Sequence, residues 1–344
     1  MYAPVKTSSF IHTAALWRRF YVETRSSERT PCQTSKVPPL QIAARYGRSL
    51  LVLGLIAGAG LPDVAYVLRP WLPELVAVLL FITAMRVGHQ TALGSVMALK
   101  RVITIILALQ LAAPLIALAL LSAVQVMHHP FALAVVLMLA APSVTGAPNF
   151  LIMMGAEPAH AMRIMVVGTA AFPITVLPVL WGLPTLDSAA AVGAALRLVL
   201  VILCATGLGF LCRHLAFPKL TDAARSNLDG LSAIALAIVV VGLMSEIGPM
   251  LRSDLSGLVL WGTAVLCLNF GFQIATHTVL KRTKLTESAA ISIISGNRNI
   301  ALFLIALPPD VTGPLLIFIG CYQIPMYLTP LLMRRLYTTT PPAL

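Results

Sequence analysis

From Ser49 onward the chain alternates between apolar stretches of about twenty residues and short polar ones, many of which hold Lys or Arg. The hydrocarbon core of a bilayer, about 30 Å thick, is crossed by about 20 apolar residues in an α-helix. On that rule the pattern predicts ten spans, at roughly 49–68, 71–86, 102–123, 131–154, 159–181, 192–212, 227–248, 255–278, 287–307 and 312–333.

The positive charges set an orientation. With the N-terminus in the cytoplasm, the inside segments hold Lys6, Arg18, Arg19, Arg25, Arg29, Lys36, Arg45 and Arg48, then Arg86, Lys100 and Arg101, then Arg163. Further along they hold Arg213, Lys219 and Arg225, then Lys281, Arg282 and Lys284, and finally Arg334 and Arg335. The outside loops hold only Arg69 and Arg252. That asymmetry follows the positive-inside rule and would fail downstream of any missed span. Both termini are expected in the cytoplasm, in a bacterial inner membrane, with an organellar envelope as the alternative. Residues 1–47 are rich in Arg, Ser and Thr, with Glu23 and Glu28 as their only acids, and have no apolar signal core. They read as a basic disordered tail; the stretch AALWRRFYVETRSSERT also permits a transit-like segment. Residues 334–344 read as a cytoplasmic tail.

Composition agrees. Hydrophobic residues make up 58% of the chain and charged residues 10%, with mean hydropathy +0.91. A soluble domain carries about 25% charge, so lipid is the expected solvent and the bilayer the first partner. The net charge of +12 sits in clusters between apolar stretches, a topogenic pattern rather than one for nucleic acid. The cysteines, Cys32, Cys204, Cys212, Cys267 and Cys321, form no CxxC pair and read as small hydrophobes. His128 and His129 are the one adjacent histidine pair, and neither HExxH nor GxxxxGK[ST] occurs. A zinc protease and a P-loop ATPase are thereby set aside. The span interiors hold no nucleophile–base pair, paired acids or metal cluster, so an enzyme is not expected.

Two stretches resemble each other. LAAPSVTGAPNFLIMMGAEP holds Asn149, and IISGNRNIALFLIALPPDVTGP holds Asn299, 150 residues later. Each runs from an apolar segment through a polar, Gly-containing stretch to an Asn and an apolar half-helix. They fall in the fourth and ninth spans, which divides the chain into five-span units at 48–181 and 192–333. Five is odd, so the second unit inserts upside down. The expected class is all-α and polytopic, with ten helices in two inverted repeats, a signature of secondary transporters.

Both related spans are expected to break. Pro142 and Pro148 each remove a donor. Gly146 and Gly296 permit backbone angles that other residues avoid. Ser143, Thr145, Asn149, Asn297 and Asn299 supply polar groups to replace lost bonds. The second half-helices, beginning near Phe150 and Ile300, present N–H groups suited to a carboxylate, and the first halves end in carbonyls suited to a cation. Inverted symmetry makes the breaks cross. Arg298 sits there, at a cost of at least about 2.5 kcal/mol for a charge at mid-membrane. It is expected to bind the carboxylate of a substrate. The alternatives are that it caps carbonyls of the fourth span or pairs with Glu157, Asp229 or Glu246. The candidate substrate-binding set is Arg298, Asn299, Asn297, Asn149, Thr145, Gly146 and Gly296. Arg163 and Arg197 are read as boundary residues that snorkel, and the methionines of LIMMG as packing.

Beyond residue 47 the chain resembles the bile acid:sodium symporter family. LLVLGLIAGAGLPDVAYVLRPWLPELVAVLLFITAMRV is similar to its first two helices. AAPSVTGAPNFLIMMG is similar to its fourth-helix Pro-Gly-Gly-x-x-Ser-Asn motif through Pro142 and Asn149, with spacing one residue longer. SGNRNIALFLIAL is similar to its ninth-helix motif through Gly296 and Asn299. The resemblance implies a panel of helices 1, 2, 6 and 7, and a core of helices 3–5 and 8–10 in which the broken helices 4 and 9 cross. It also implies transport of organic anions, commonly with sodium. Departures fall on the sodium ligands: the family's ninth-helix glutamate is Ile294 here, its glutamine is Arg298, and its fifth-helix hydroxyls fall near Met162 and Val166. Ser143, Thr145 and Asn149, with Thr169 nearby, are what remains of a sodium site. Arg298 is expected to stand in for a bound sodium, leaving transport coupled to protons or to exchange.

The function expected is secondary active transport of a small or amphipathic organic carboxylate by alternating access. The alternatives are an exporter of the auxin-efflux-carrier type and an uncoupled channel or sensor.

Overall fold

The computed structural model describes residues 38–88, 99–217, 220–282 and 287–337. Most of the expected N-terminal tail, residues 1–37, lies outside the described residues, as do 338–344. Among the described residues the chain is helical, with no strand and one isolated bridge, between Ser143 and Arg298.

The first half contains α1 (Pro39–Arg45), α2 (Gly47–Gly60), α3 (Pro62–Leu68), α4 (Leu72–Val87), α5 (Leu99–Ile106), α6 (Ala113–Ala123), α7 (Pro130–Ala140), α8 (Ala147–Met153) and α9 (Ala159–Trp181). The second contains α10 (Ser188–Ala216), α11 (Asp222–Leu243), α12 (Ile247–Ser253), α13 (Leu255–Lys281), α14 (Ser288–Gly296), α15 (Phe303–Ala306), α16 (Pro309–Thr312), α17 (Leu316–Leu332) and α18 (Arg334–Tyr337). Seven helical stretches are long and apolar enough to cross a membrane: Pro62–Val87, Lys100–Ala123, Ala159–Trp181, Ser188–Ala216, Asp222–Ser253, Leu255–Lys281 and Pro309–Leu332. An eighth is the pair α1 and α2, bent by 83°. These helices are consistent with an integral membrane protein. Leu196, Leu200 and Leu203 of α10 lie 62–64% exposed, as lipid-facing side chains would.

Four boundaries differ from the sequence reading. Residues 39–45 are not tail: they form α1, which lies so close on α11 that a Cβ at Gly230 would sit 1.8 Å from the Leu40 carbonyl oxygen. The expected span at 49–68 ends at Gly60, because Leu61 leaves the helix (φ −121°, ψ 68°) ahead of Pro62, which has no N–H to give. The expected loop at 69–70 is instead a 3₁₀ turn, Arg69–Trp71, that joins α3 to α4. The expected C-terminal tail at 334–344 likewise begins with a helical turn, α18, whose Tyr337 is buried and donates its hydroxyl to Gln273.

The helices pack as two groups. Helices α1, α2, α4, α10 and α11 lie against one another. In the other group, α5–α9 and α13–α17 do so, with α8 and α9 meeting α14. Helix α7 is buried on all sides from Val136 to Ala140, which is why its sequence is apolar all round. Helix α4 faces the second group along α15.

Candidate functional site

The segment 131–154 is broken between α7 and α8, and the segment 287–307 between α14 and the 3₁₀ turn Ile300–Leu302. The first break follows from Pro142. A residue before proline is driven out of the helical region, and Ala141 adopts φ −61°, ψ 148°. The second break spans Asn297 (φ −113°, ψ 92°) and Asn299 (φ −87°, ψ 65°). The glycines do not act as expected. Gly146 has ordinary helical angles (φ −81°, ψ −8°), and the positive-φ glycines among the described residues are Gly88 and Gly155. Gly296 is needed for proximity: a Cβ there would lie 2.2 Å from the Asn269 carbonyl oxygen.

The two breaks bond each other. Val144 N–H donates to the Asn297 carbonyl at 3.1 Å, and Asn299 N–H to the Pro142 carbonyl at 2.8 Å. Each break thus supplies the partner that the other's interrupted helix withholds, which a non-aqueous surrounding demands.

Arg298 lies within this crossing, 1% exposed. Its guanidinium donates to three carbonyls: Nη1 to Ala141 at 3.0 Å, Nη2 to Leu109 at 3.2 Å and Nε to Ser295 at 3.3 Å. Its backbone N–H donates to the Tyr322 hydroxyl at 3.0 Å, and that hydroxyl donates to the Gly296 carbonyl. Each carbonyl is available for a local reason. Ala141 has left its helix before Pro142. Ser295 is in the last turn of α14. Leu109 lies in a π-helical turn, Leu107–Ala112, where Ala113 N–H bonds back to Ala108. In that register the Leu109 carbonyl would be served by residue 114, which is a proline with no N–H.

Around Asn297 the polar groups are also closed on themselves. Asn269 Nδ2 donates to the Gly296 carbonyl and to Asn297 Oδ1, and Gln273 Nε2 donates to Asn269 Oδ1 at 2.7 Å and Thr329 Oγ at 3.1 Å. Asn297 Nδ2 returns to the Ile293 carbonyl at 2.9 Å. All four of these side chains are fully buried.

The structure therefore divides the predicted site residues. Gly296, Asn297 and Arg298 are buried, whereas Thr145, Gly146, Asn149 and Asn299 are partly exposed. Arg298 caps carbonyls in this arrangement, and of the acids considered for it, Glu246 pairs with Arg69 and Asp229 with Arg86. Of the residual sodium set, Ser143 is buried with its hydroxyl on the Val144 carbonyl, and Asn149 Oδ1 accepts from Arg86 Nη2 at 3.2 Å. The three carbonyls and Asn149 Oδ1 thus each accept from a guanidinium donor.

Arg86, which the sequence counts among the inside charges, bonds Asn149 of the broken fourth segment. Its Nε lies 2.5 Å from Asp229 Oδ1, with the two side chains 33% and 35% exposed. Arg197 also has a place beyond snorkelling. With Tyr66, Arg69, Glu74, Leu304 and Ile305 it lines a cavity of about 800 Å³ between α4, α10 and α15, and makes no ion pair with a described residue. Arg163 lines a smaller cleft with Arg101, His160 and Glu287, where Arg101 and Glu287 pair at 3.1 Å.

No protein-family model matches the chain, and no curated protein matches its sequence. The class that the fold defines is an α-helical membrane protein with two broken, mutually bonded segments at its centre.

Proposed function

We propose that the protein is a secondary carrier for an organic anion, a small or amphipathic carboxylate. The observation that carries this reading is the reciprocal pair of hydrogen bonds between the two breaks. Irregular backbone at membrane depth is tolerated where it is enclosed by protein or lines a water-filled path, and paired broken helices are the usual place for a carrier's site. On this reading the seven long stretches, the bent pair and the two broken segments are ten crossings, and the odd number of spans in each half of the sequence supports two units related by inversion. The charge pattern supports both termini lying in the cytoplasm, at a bacterial inner membrane.

The group of α1, α2, α4, α10 and α11 is the fixed part, and the group holding the crossing moves against it. The cavity lined by Arg69 and Arg197 lies at the N-terminal end of α4, and the Arg86–Asn149 contact joins the two groups at its C-terminal end. One end stands open while the other is tied, as alternating access requires. The guanidinium groups on the candidate cation ligands support transport without sodium, by proton coupling or exchange.

Counterflow in proteoliposomes separates a carrier from a channel or sensor. Loading vesicles with unlabelled carboxylate should accelerate entry of the labelled compound, with saturation. Entry that is linear in concentration and indifferent to loading contradicts the carrier reading.

A further inference from the structure

The carrier reading leaves open which group receives the carboxylate, since Arg298 is occupied by carbonyls. We propose that Arg86 is that group, and that the arriving carboxylate displaces Asn149 from it. The inference rests on the carrier reading and deepens it.

Arg86 has the properties that Arg298 lacks in this arrangement. Its side chain is 33% exposed, against 1% for the whole of Arg298. It bonds Asn149, which lies in a segment whose Thr145 and Gly146 are also partly exposed. Its two partners are unequal. Asp229 is a carboxylate on α11, the neighbour of α4 in the same packing group. Asn149 is a neutral amide on α8, in the other group, bonded at 3.2 Å. A carboxylate accepts from a guanidinium about twice as strongly as a neutral oxygen does, and can do so in bidentate fashion. A carboxylate from solution therefore replaces Asn149 readily and Asp229 with difficulty. Losing Asn149 breaks the hydrogen bond from α4 to α8, so the same event that binds the anion removes one tie between the two groups. Asp229 meanwhile holds Arg86 in place, and competes with the substrate for it.

That competition gives a test with opposite signs. Purified full-length protein is titrated with acetate, pyruvate, 2-oxoglutarate, benzoate and cholate, with chloride as the control for ionic strength, and binding is read from the melting temperature. Wild type should be stabilised by at least one carboxylate. Arg86→Gln should weaken that binding by about tenfold or more, the factor expected for one charge-assisted contact. Asp229→Asn, which removes the competitor, should tighten it. If wild type is moved by none of the carboxylates, the anion-carrier reading fails and this assignment with it. If wild type responds and Arg86→Gln responds equally, the assignment alone is overturned. If Asp229→Asn weakens binding as much as Arg86→Gln does, the pair is only a structural brace, and the assignment is again overturned. Should Arg86→Gln fail to fold, the sign of the Asp229→Asn effect decides.

Discussion

Arg298 donates to the carbonyl of Ala141 across 157 residues of sequence, at 3.0 Å. This bond joins the side chain of one break to the interrupted backbone of the other. With the contacts to Leu109 and Ser295 it places a fixed cation where helix ends leave oxygens without partners.

Removing that cation leaves three buried carbonyls unserved, at about 1–3 kcal/mol each. Arg298→Ala should lower stability by about 3 kcal/mol or more, seen as an earlier thermal melt. Methylguanidinium added to the variant should recover part of the loss. A variant that melts with wild type would show that the carbonyls have other partners.

Pro114 has a coupled role. Pro114→Ala supplies an N–H at the position that the π turn assigns to the Leu109 carbonyl. In the Arg298→Ala background it should restore about 1 kcal/mol by serving one of the stranded oxygens. Melting of the two single variants and the double variant measures this coupling; strict additivity contradicts it.

Gly296 is constrained by the Asn269 backbone, which cannot move aside as a side chain can. Gly296→Ala should cost about 2–3 kcal/mol or more, because its Cβ would fall 2.2 Å from a carbonyl oxygen. Gly207→Ala, on α10 with nothing within 4 Å, should melt with wild type or slightly above it. Equal effects of the two substitutions would remove the close-approach argument.

Asp254 caps α13, accepting from Gly257 N–H at 2.8 Å and from the Ser256 hydroxyl at 2.8 Å. The Gly257 bond first, and then the Ser256 bond, hold its carboxyl below the ordinary 3.8. A depressed carboxyl stabilises fully above its unfolded value and loses that contribution as pH falls through the folded one. Amide protection at the start of α13 should therefore persist down to pH 3.8 and fail below it. Asp254→Asn should keep most of the protection and flatten the pH dependence.

The breaks were legible because their causes are local: a proline after Ala141, and an Asn-rich run in an apolar segment. The partners of Arg298 were not legible, since they depend on how α7 and the π turn Leu107–Ala112 are rotated about the crossing. Capping of the fourth span was weighed as an alternative, but the π turn that frees Leu109 is announced only by Pro114 within an apolar run. Arg86 shows the same limit from the other side. Position in the chain marks it as a span-end charge, and only packing brings it to Asn149. Helix α1 was missed because seven residues are too few for a hydropathy signal; its place is set by the bare backbone of Gly230.

The central claim is that an anion carrier holds its own cation at the crossing. Uptake of a labelled carboxylate into proteoliposomes, with all sodium replaced by choline, tests it most directly. The account predicts the same rate in both salts. Uptake that requires sodium would contradict it.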